Sequence, residues 1–161
     1  FNGTDQRVLC GNASNLQITV GTICVWFNAT NLNSSYRGIF AKQGAWGLFV
    51  KSNVLISYDW GNSGDRTTGI TVGNNSWNYC ALSFTETIGT PANNARVYLN
   101  GTLVLTDTIK HLNHNNQLMI AEANSNQWFS GDVAQASVYN RVLSASEIQQ
   151  NFAALRGRYG I

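Results

Sequence analysis

The sequence predicts an all-β sandwich or jelly roll with one short helix at its end. Three observations predict this. About eleven short runs rich in β-branched and aromatic residues follow one another: "LQITV", "TICVWFN", "RGIFAKQ", "WGLFVK", "VLISYDW", "GITV", "NYCALSFTE", "ARVYLN", "TLVLTDT", "QLMIAE" and "DVAQASVY". Clusters of Gly, Asn and Ser separate them at short intervals, as in a sandwich and unlike alternating strand–helix units. The one proline, Pro91, falls in the loop "TIGTPANNA", where it interrupts no ladder.

Two elements carry specific local chemistry. In "RVYLNGTLVL", Asn100-Gly101 is the preferred pair for a two-residue type I′ turn, which needs positive φ at both positions. The last segment, "RVLSASEIQQNFAALRG", reads as a helix. Ser144 is the predicted N-cap and Glu147, three residues on, completes a capping box. Ile148, Phe152 and Leu155 follow on one face, and Gly157 is the predicted stop. Three turns are too short to stand alone in water, so the stripe must dock on a sheet. Trp26 and Trp77, inside the strongest strand runs, are predicted core residues.

Composition excludes several classes. The 161 residues read as a single domain, 1–161, expected to be the C-terminal part of a longer chain because it opens on Phe1 and follows no leader-like segment. Charged residues are only 11%, and Asn, Ser, Thr and Gln fill the deficit. Net charge is +2 with no basic run, which argues against a nucleic-acid partner. No apolar stretch approaches the roughly 20 residues of a membrane span. Such a polar, weakly charged surface suits an extracellular or particle-borne protein. Cys10, Cys24 and Cys80 are odd in number; Cys24 and Cys80 read as buried thiols, with a Cys24–Cys80 bridge as the alternative. Six glycosylation sequons occur, at Asn2, Asn12, Asn28, Asn33, Asn74 and Asn100.

Six segments in order carry a family resemblance: "FNGTDQRVLCGNASNLQIT", "TICVWF", "GIFAKQG", "SWNYCALSF", "ARVYLNGTLV" and "FSGDVAQASVYNRVLSASEI". Together they resemble a laminin-G-like domain of the concanavalin A-like lectin/glucanase superfamily, over nearly the whole chain. The resemblance implies a jelly roll of two facing antiparallel sheets, and uses that range over sugar binding, adhesion, calcium binding and, in one branch, glucan hydrolysis. The closing segment is similar to C-terminal domains of tailed-phage structural proteins, which implies a virion fibre or capsid decoration, with cell-surface glycans or other virion subunits as partners. The family often binds Ca²⁺ where its opening and closing strands meet. Here Asn2 replaces an opening Asp, and Ala134-Gln135 stand where an acidic pair is common. Asp5 and Asp132 are the remaining metal candidates, and no cofactor is required.

Enzyme motifs are missing. The glucanase branch sets its acids two apart on one strand, whereas the closest acids here, Asp59 and Asp65, are six apart across a glycine-rich turn. There is no Gly-x-Ser-x-Gly elbow, and "HLNH" offers His111 and His114 without an obvious third zinc ligand. The expectation is a non-enzymatic binding or decoration module, with a purely structural virion protein and a degenerate glycosidase as alternatives. Sugar recognition stacks an aromatic ring on the sugar while planar polar groups take its hydroxyls. The richest candidate is the turn "YDWGNSGDRTTG", with Trp60, Asn62, Asp65 and Arg66; a second is "EANSNQWFSG", with Asn124, Asn126, Gln127 and Trp128. The structural alternative has Trp60 packing at a strand end while Asp65 and Arg66 form a local ion pair.

Overall fold

A computed structural model describes residues 1–32, 35–85, 92–110, 112, 115–123 and 126–161. Pro91, Glu86, Asn33, Asn124, His111 and His114 lie outside the described residues. The strands are β1 (Val8–Gly11), β2 (Gly21–Ala29), β3 (Arg37–Lys42), β4 (Trp46–Lys51), β5 (Val54–Asp59) and β6 (Gly64–Thr71), then β7 (Trp77–Phe84), β8 (Ala95–Leu99), β9 (Thr102–Asp107), β10 (Leu118–Ile120) and β11 (Gly131–Tyr139). They form two antiparallel sheets, one ordered β1-β10-β3-β4-β5-β6 and the other β11-β2-β7-β8-β9. Between the sheets lies one apolar core that includes Phe27, Trp46, Leu48, Leu82, Val97 and Phe129.

One predicted strand is absent. "LQITV" is not a strand: Ser14–Leu16 form a short 3-10 turn and Ile18 plugs the core from the loop. The opening strand is instead "VLCG", an edge strand on β10 whose Val8, Leu9 and Cys10 are exposed. Apolar residues there serve pairing at an edge rather than burial, so hydrophobic pattern alone selected the wrong run.

The local chemistry reads through to the structure. Asn100 and Gly101 have φ of 49° and 79°, closing the β8–β9 hairpin. Asn100 Oδ1 also accepts from Tyr79 N at 2.8 Å, so its side chain is engaged. A Cβ on Gly101 would lie 3.1 Å from the Phe152 ring, so this glycine also admits the helix.

The helix α1 (Ala145–Arg156) starts with the capping box: Ser144 Oγ accepts from Glu147 N at 3.3 Å and Ser144 N donates to Glu147 Oε2 at 2.8 Å. Arg141 grips the same carboxylate at 2.6 and 3.1 Å and, with Ser144, pulls its pKa down to about 2. Ser144→Ala should cost about 1 kcal/mol and lower the thermal midpoint by a few degrees. An unchanged midpoint would show that docking, not the cap, sets the register of α1. α1 does end at Gly157, its C-cap, but at φ −64° this glycine is not left-handed; the chain continues through a 3-10 turn (Gly157–Tyr159), and Gly160 at φ 72° supplies the left-handed residue.

α1 covers the outer face of the five-stranded sheet. Ile148 is buried there, and Phe152 stacks on Trp26 at 5.8 Å. Trp26 is core, whereas Trp77 is half-buried at the start of β7, 4.6 Å from the Tyr159 ring. Cys24 faces this outer cluster and Cys80 faces the inter-sheet core; both are free, and opposite faces exclude a bridge between them. Burial raises both thiols, Cys24 to about 11.

Candidate functional site

Among the described residues, no helix covers the outer face of the six-stranded sheet. Alternation along its strands loads that face with aromatics. In β4, Leu48 and Val50 enter the core while Phe49 points out; in β5, Leu55 points in and Ile56 and Tyr58 point out. A bulge in β3 turns both Ile39 and Phe40 inward and Ala41 outward. Gly47 keeps the floor open, since a Cβ would come within 2.7 Å of Ala41 Cβ and 2.9 Å of Phe49 Cε2.

On this floor stand the rings of Tyr36, Tyr58 and Trp60. Tyr58 lies 5.3 Å from Trp60 and 6.3 Å from Tyr36, each roughly edge to face. With Gln43, Phe49 and Gln127 they line a recess of about 200 Å³. The Gln43 amide, oriented so that its nitrogen donates to Ala123 O at 2.6 Å, accepts from Trp60 Nε1 at 3.3 Å. A shallower hollow of about 350 Å³ shares Gln43 and extends past Ala123 and Met119 to the Arg7–Glu122 ion pair. The two hollows meet at Gln43.

The charges beside the recess cancel. Lys51 Nζ donates to Asp65 Oδ2 at 2.7 Å and to Tyr36 OH at 2.8 Å, and Tyr36 OH donates to Asp65 Oδ1 at 2.6 Å. The bonds to Asp65 and Tyr36 raise the Lys51 pKa, while burial and then Asp65 raise that of Tyr36. At neutral pH the trio is a closed, neutral cycle under the aromatic wall.

The candidate turn splits. It was expected to hold Trp60, Asn62, Asp65 and Arg66 together as one flexible loop, but β6 already begins at Gly64. Neighbours on a strand point to opposite faces, so Asp65 joins the Tyr36–Lys51 cycle while Arg66 turns away. Nor do Asp65 and Arg66 pair with each other. Arg66 Nη2 binds Asp59 Oδ2 at 2.6 Å, and its Nε donates to Thr108 O at 3.2 Å. Asn62 binds Asp59 too, through its backbone N at 3.1 Å and its Nδ2 at 2.9 Å. Burial pushes the Asp59 carboxyl up, but the Asn62, Arg66 and Lys110 bonds outweigh it and hold it below its usual value. Asn62 and Arg66 thus brace the turn that presents Trp60.

From the second candidate loop, Gln127 reaches the recess, held there as its carbonyl accepts from Gly38 N at 3.0 Å. Asn126 is exposed with φ 73°. The Trp128 ring lies beneath the Arg7 guanidinium at 5.3 Å, and its carbonyl accepts from Arg37 Nη1 at 2.9 Å. Tyr36, Gln43 and Phe49 escaped the sequence reading, and Tyr58 opened the candidate turn "YDWGNSGDRTTG" without being singled out. Tyr58 and Trp60, two apart in "YDW", carried the available signal: same-face aromatics on one strand.

Asp5 Oδ1 accepts from Asn2 Nδ2 at 2.8 Å beside the Asn2–Ser130 bridge, and Asp132 is exposed opposite Asn28. Ala134 is the extra residue of a bulge between Val133 and Gln135. Among the described residues, no three of His, Cys, Asp and Glu come together where they could hold a metal ion.

Known structures share this architecture. The chain superposes on the binding domain of Paraclostridial Mosquitocidal Protein 1 with a TM-score of 0.74 at 16% identity, covering 96% of this chain and 42% of that one. A Trypanosoma rangeli sialidase, solved with a difluoro-KDN ligand, gives 0.74 at 14% identity, covering 97% and 27%. Domain 4 of AbnA, an extracellular GH43 arabinanase from Geobacillus stearothermophilus in complex with arabinotriose, gives 0.71 at 16% identity, covering 93% and 73%. The chain therefore spans less than half the length of the first two. At these identities the likeness is one of fold. No curated protein sequence matches the chain. A family model does match, over residues 2–149, and with the two facing sheets it establishes that the chain belongs to the laminin-G-like group of the concanavalin A-like lectin/glucanase superfamily.

Proposed function

We propose that the domain is a non-enzymatic glycan-binding module that uses the outer face of its six-stranded sheet. The observation that carries this reading is the recess walled by Tyr36, Tyr58 and Trp60, with the amides of Gln43 and Gln127 at its edge. Stacking rings beside planar amides is the chemistry a sugar needs, and the neutral Lys51–Asp65–Tyr36 cycle favours an uncharged sugar. The arabinotriose bound to the arabinanase domain supports the reading by analogy of fold. Glycoside hydrolysis lacks support here, because Asp65, the carboxylate beside the recess, is already held by Lys51 and Tyr36. Display on a phage fibre or capsid surface, attached to upstream domains, follows from the resemblance of the closing segment to tailed-phage proteins.

On a glycan array the domain should bind neutral oligosaccharides. Trp60→Ala should weaken that binding by about tenfold or more, equivalent to ~1.4 kcal/mol, with an unchanged circular dichroism spectrum. Absence of glycan binding together with tight assembly onto a particle would replace this reading with a structural one. Turnover of any glucan would overturn the non-enzymatic assignment.

A further inference from the structure

The aromatic recess does not end at its own walls. At about 200 Å³ it is smaller than the roughly 300–1,000 Å³ of an ordinary small-ligand pocket, and the hollow that meets it at Gln43 adds about 350 Å³. The recess takes Phe49 from β4 and Tyr58 from β5. The hollow takes Leu9 from β1 and Met119 from β10, with β3 between the two pairs of strands. From β5 to β1 there are four strand intervals, about 19 Å at ~4.8 Å each. That is several times the width of one sugar ring.

The hollow offers both kinds of surface that a sugar ring meets, and both are open to solvent. Leu9 and Met119 face each other across the β1–β10 ladder and supply apolar surface; Leu9 is 50% exposed. Arg7, two residues before Leu9, supplies donors. Its Nη1 donates to Glu122 Oε2 at 2.8 Å, yet its side chain stays 40% exposed while that of Glu122 is only 2% exposed. A guanidinium carries five N–H groups, so this pairing leaves donors to spare. A ligand therefore meets the guanidinium and not the carboxylate that balances its charge. Gln117, just before β10, is exposed and adds an amide at the same hollow.

We propose that this hollow is a second subsite of the same surface, so that the ligand is a linear neutral oligosaccharide of about four units, near one per strand interval, rather than a single sugar. The inference rests on the glycan-binding reading above. One unit stacks on Trp60 and Tyr58 in the recess. The chain then passes Gln43, and its later units lie over Met119 and Leu9, with their hydroxyls accepting from Arg7 and from the Gln117 amide. A shallow hollow suits this role, because a bound sugar chain keeps its outer hydroxyls in water.

The test is a glycan array printed with neutral gluco-, galacto-, manno- and arabino-oligosaccharides of one to six units, followed by calorimetry on the series that binds most tightly. Affinity should be weakest for one unit, rise about tenfold or more by about four units, and then level off. Gln117→Ala, at an exposed position, should remove about two- to fivefold of that gain and leave the shortest bound chain unaffected. Arg7→Lys keeps a cation for Glu122 but loses the planar fork, and should do the same. Trp60→Ala should weaken every length. Affinity that does not depend on length overturns the inference and leaves the glycan-binding reading standing. So does a length gain that survives in both variants, since the added units then lie elsewhere. No binding at any length overturns the glycan-binding reading, and this inference with it.

Discussion

Gly131→Ala will remove at least about 4 kcal/mol of stability, more than almost any other single methyl could. Gly131 opens β11 at φ 136°, where a side chain is strained. A Cβ there would lie 2.0 Å from Asn28 O and 2.9 Å from Ala29 Cα, both backbone atoms of the neighbouring strand β2. Nor can Gly131 retreat. Its N–H donates to Phe1 O at 2.9 Å, and its carbonyl accepts from Phe1 N at 2.7 Å. Relief must therefore separate β11 from β2 or pull Phe1 away from Gly131. Against the 5–15 kcal/mol that holds a typical domain, this leaves little margin. Urea unfolding is the measurement, with Gly157→Ala as control: at φ −64°, with nothing within 4 Å of the added carbon, it should be neutral or slightly stabilising. Equal midpoints for the two variants would refute the steric argument.

Asp59→Ala comes next, with an expected loss of about 3 kcal/mol, the lower end for a broken buried pair. Asp59 is fully buried and accepts from Asn62 twice, from Arg66 and from Lys110 N. Truncation leaves the Arg66 guanidinium without its nearest partner, although its 26% exposure lets water recover part of the loss. The pH dependence has a definite sign. The folded carboxyl titrates below its unfolded value of about 3.9, so its contribution is complete above that pH and fades as pH falls through the folded value. The stability gap between wild type and Asp59→Ala should hold steady from neutrality down to about pH 5 and close in stronger acid. A gap that widens on acidification would assign the carboxyl a different role. Because Asp59 braces the turn carrying Trp60, the variant should also weaken glycan binding at neutral pH.

What could be read from the sequence divides along physical range. The capping box at Ser144–Glu147 and the Asn100-Gly101 turn are local chemistry, and both stand in the structure as read. The start of β6 was missed because "GDRTTG" has the composition of a turn, yet its pairing with β5 extends it. Edge strand β1 lies in the opening run "FNGTDQRVLCGNASNLQIT" that the family resemblance matched to an entry strand, but the strand pattern did not mark it, because "VLCG" leaves its apolar side chains in water. At the site, Trp60 was legible as an aromatic beside a turn. Tyr36 and Gln43 were not, because they flank β3, and only the pairing of β3 with β4 and of β4 with β5 brings them beside Trp60. Asn62 and Arg66 had the residue types of a binding site, but serve a buried carboxylate invisible to any local pattern.

The pairing of β2 with β11 has a consequence in time. β2 is an inner strand of its sheet, flanked by β7 and β11. Thr22 Oγ1 donates to Arg141 O, 119 residues further along, and accepts from Leu143 N. A ribosome therefore releases β2, β7 and the Trp26 cluster long before the strand and helix that seal them. Until then one edge of β2 is unpaired and its outer aromatics are wet, which makes the nascent chain a natural client for chaperones. The last thirty residues act as the latch, and folding to completion waits for them.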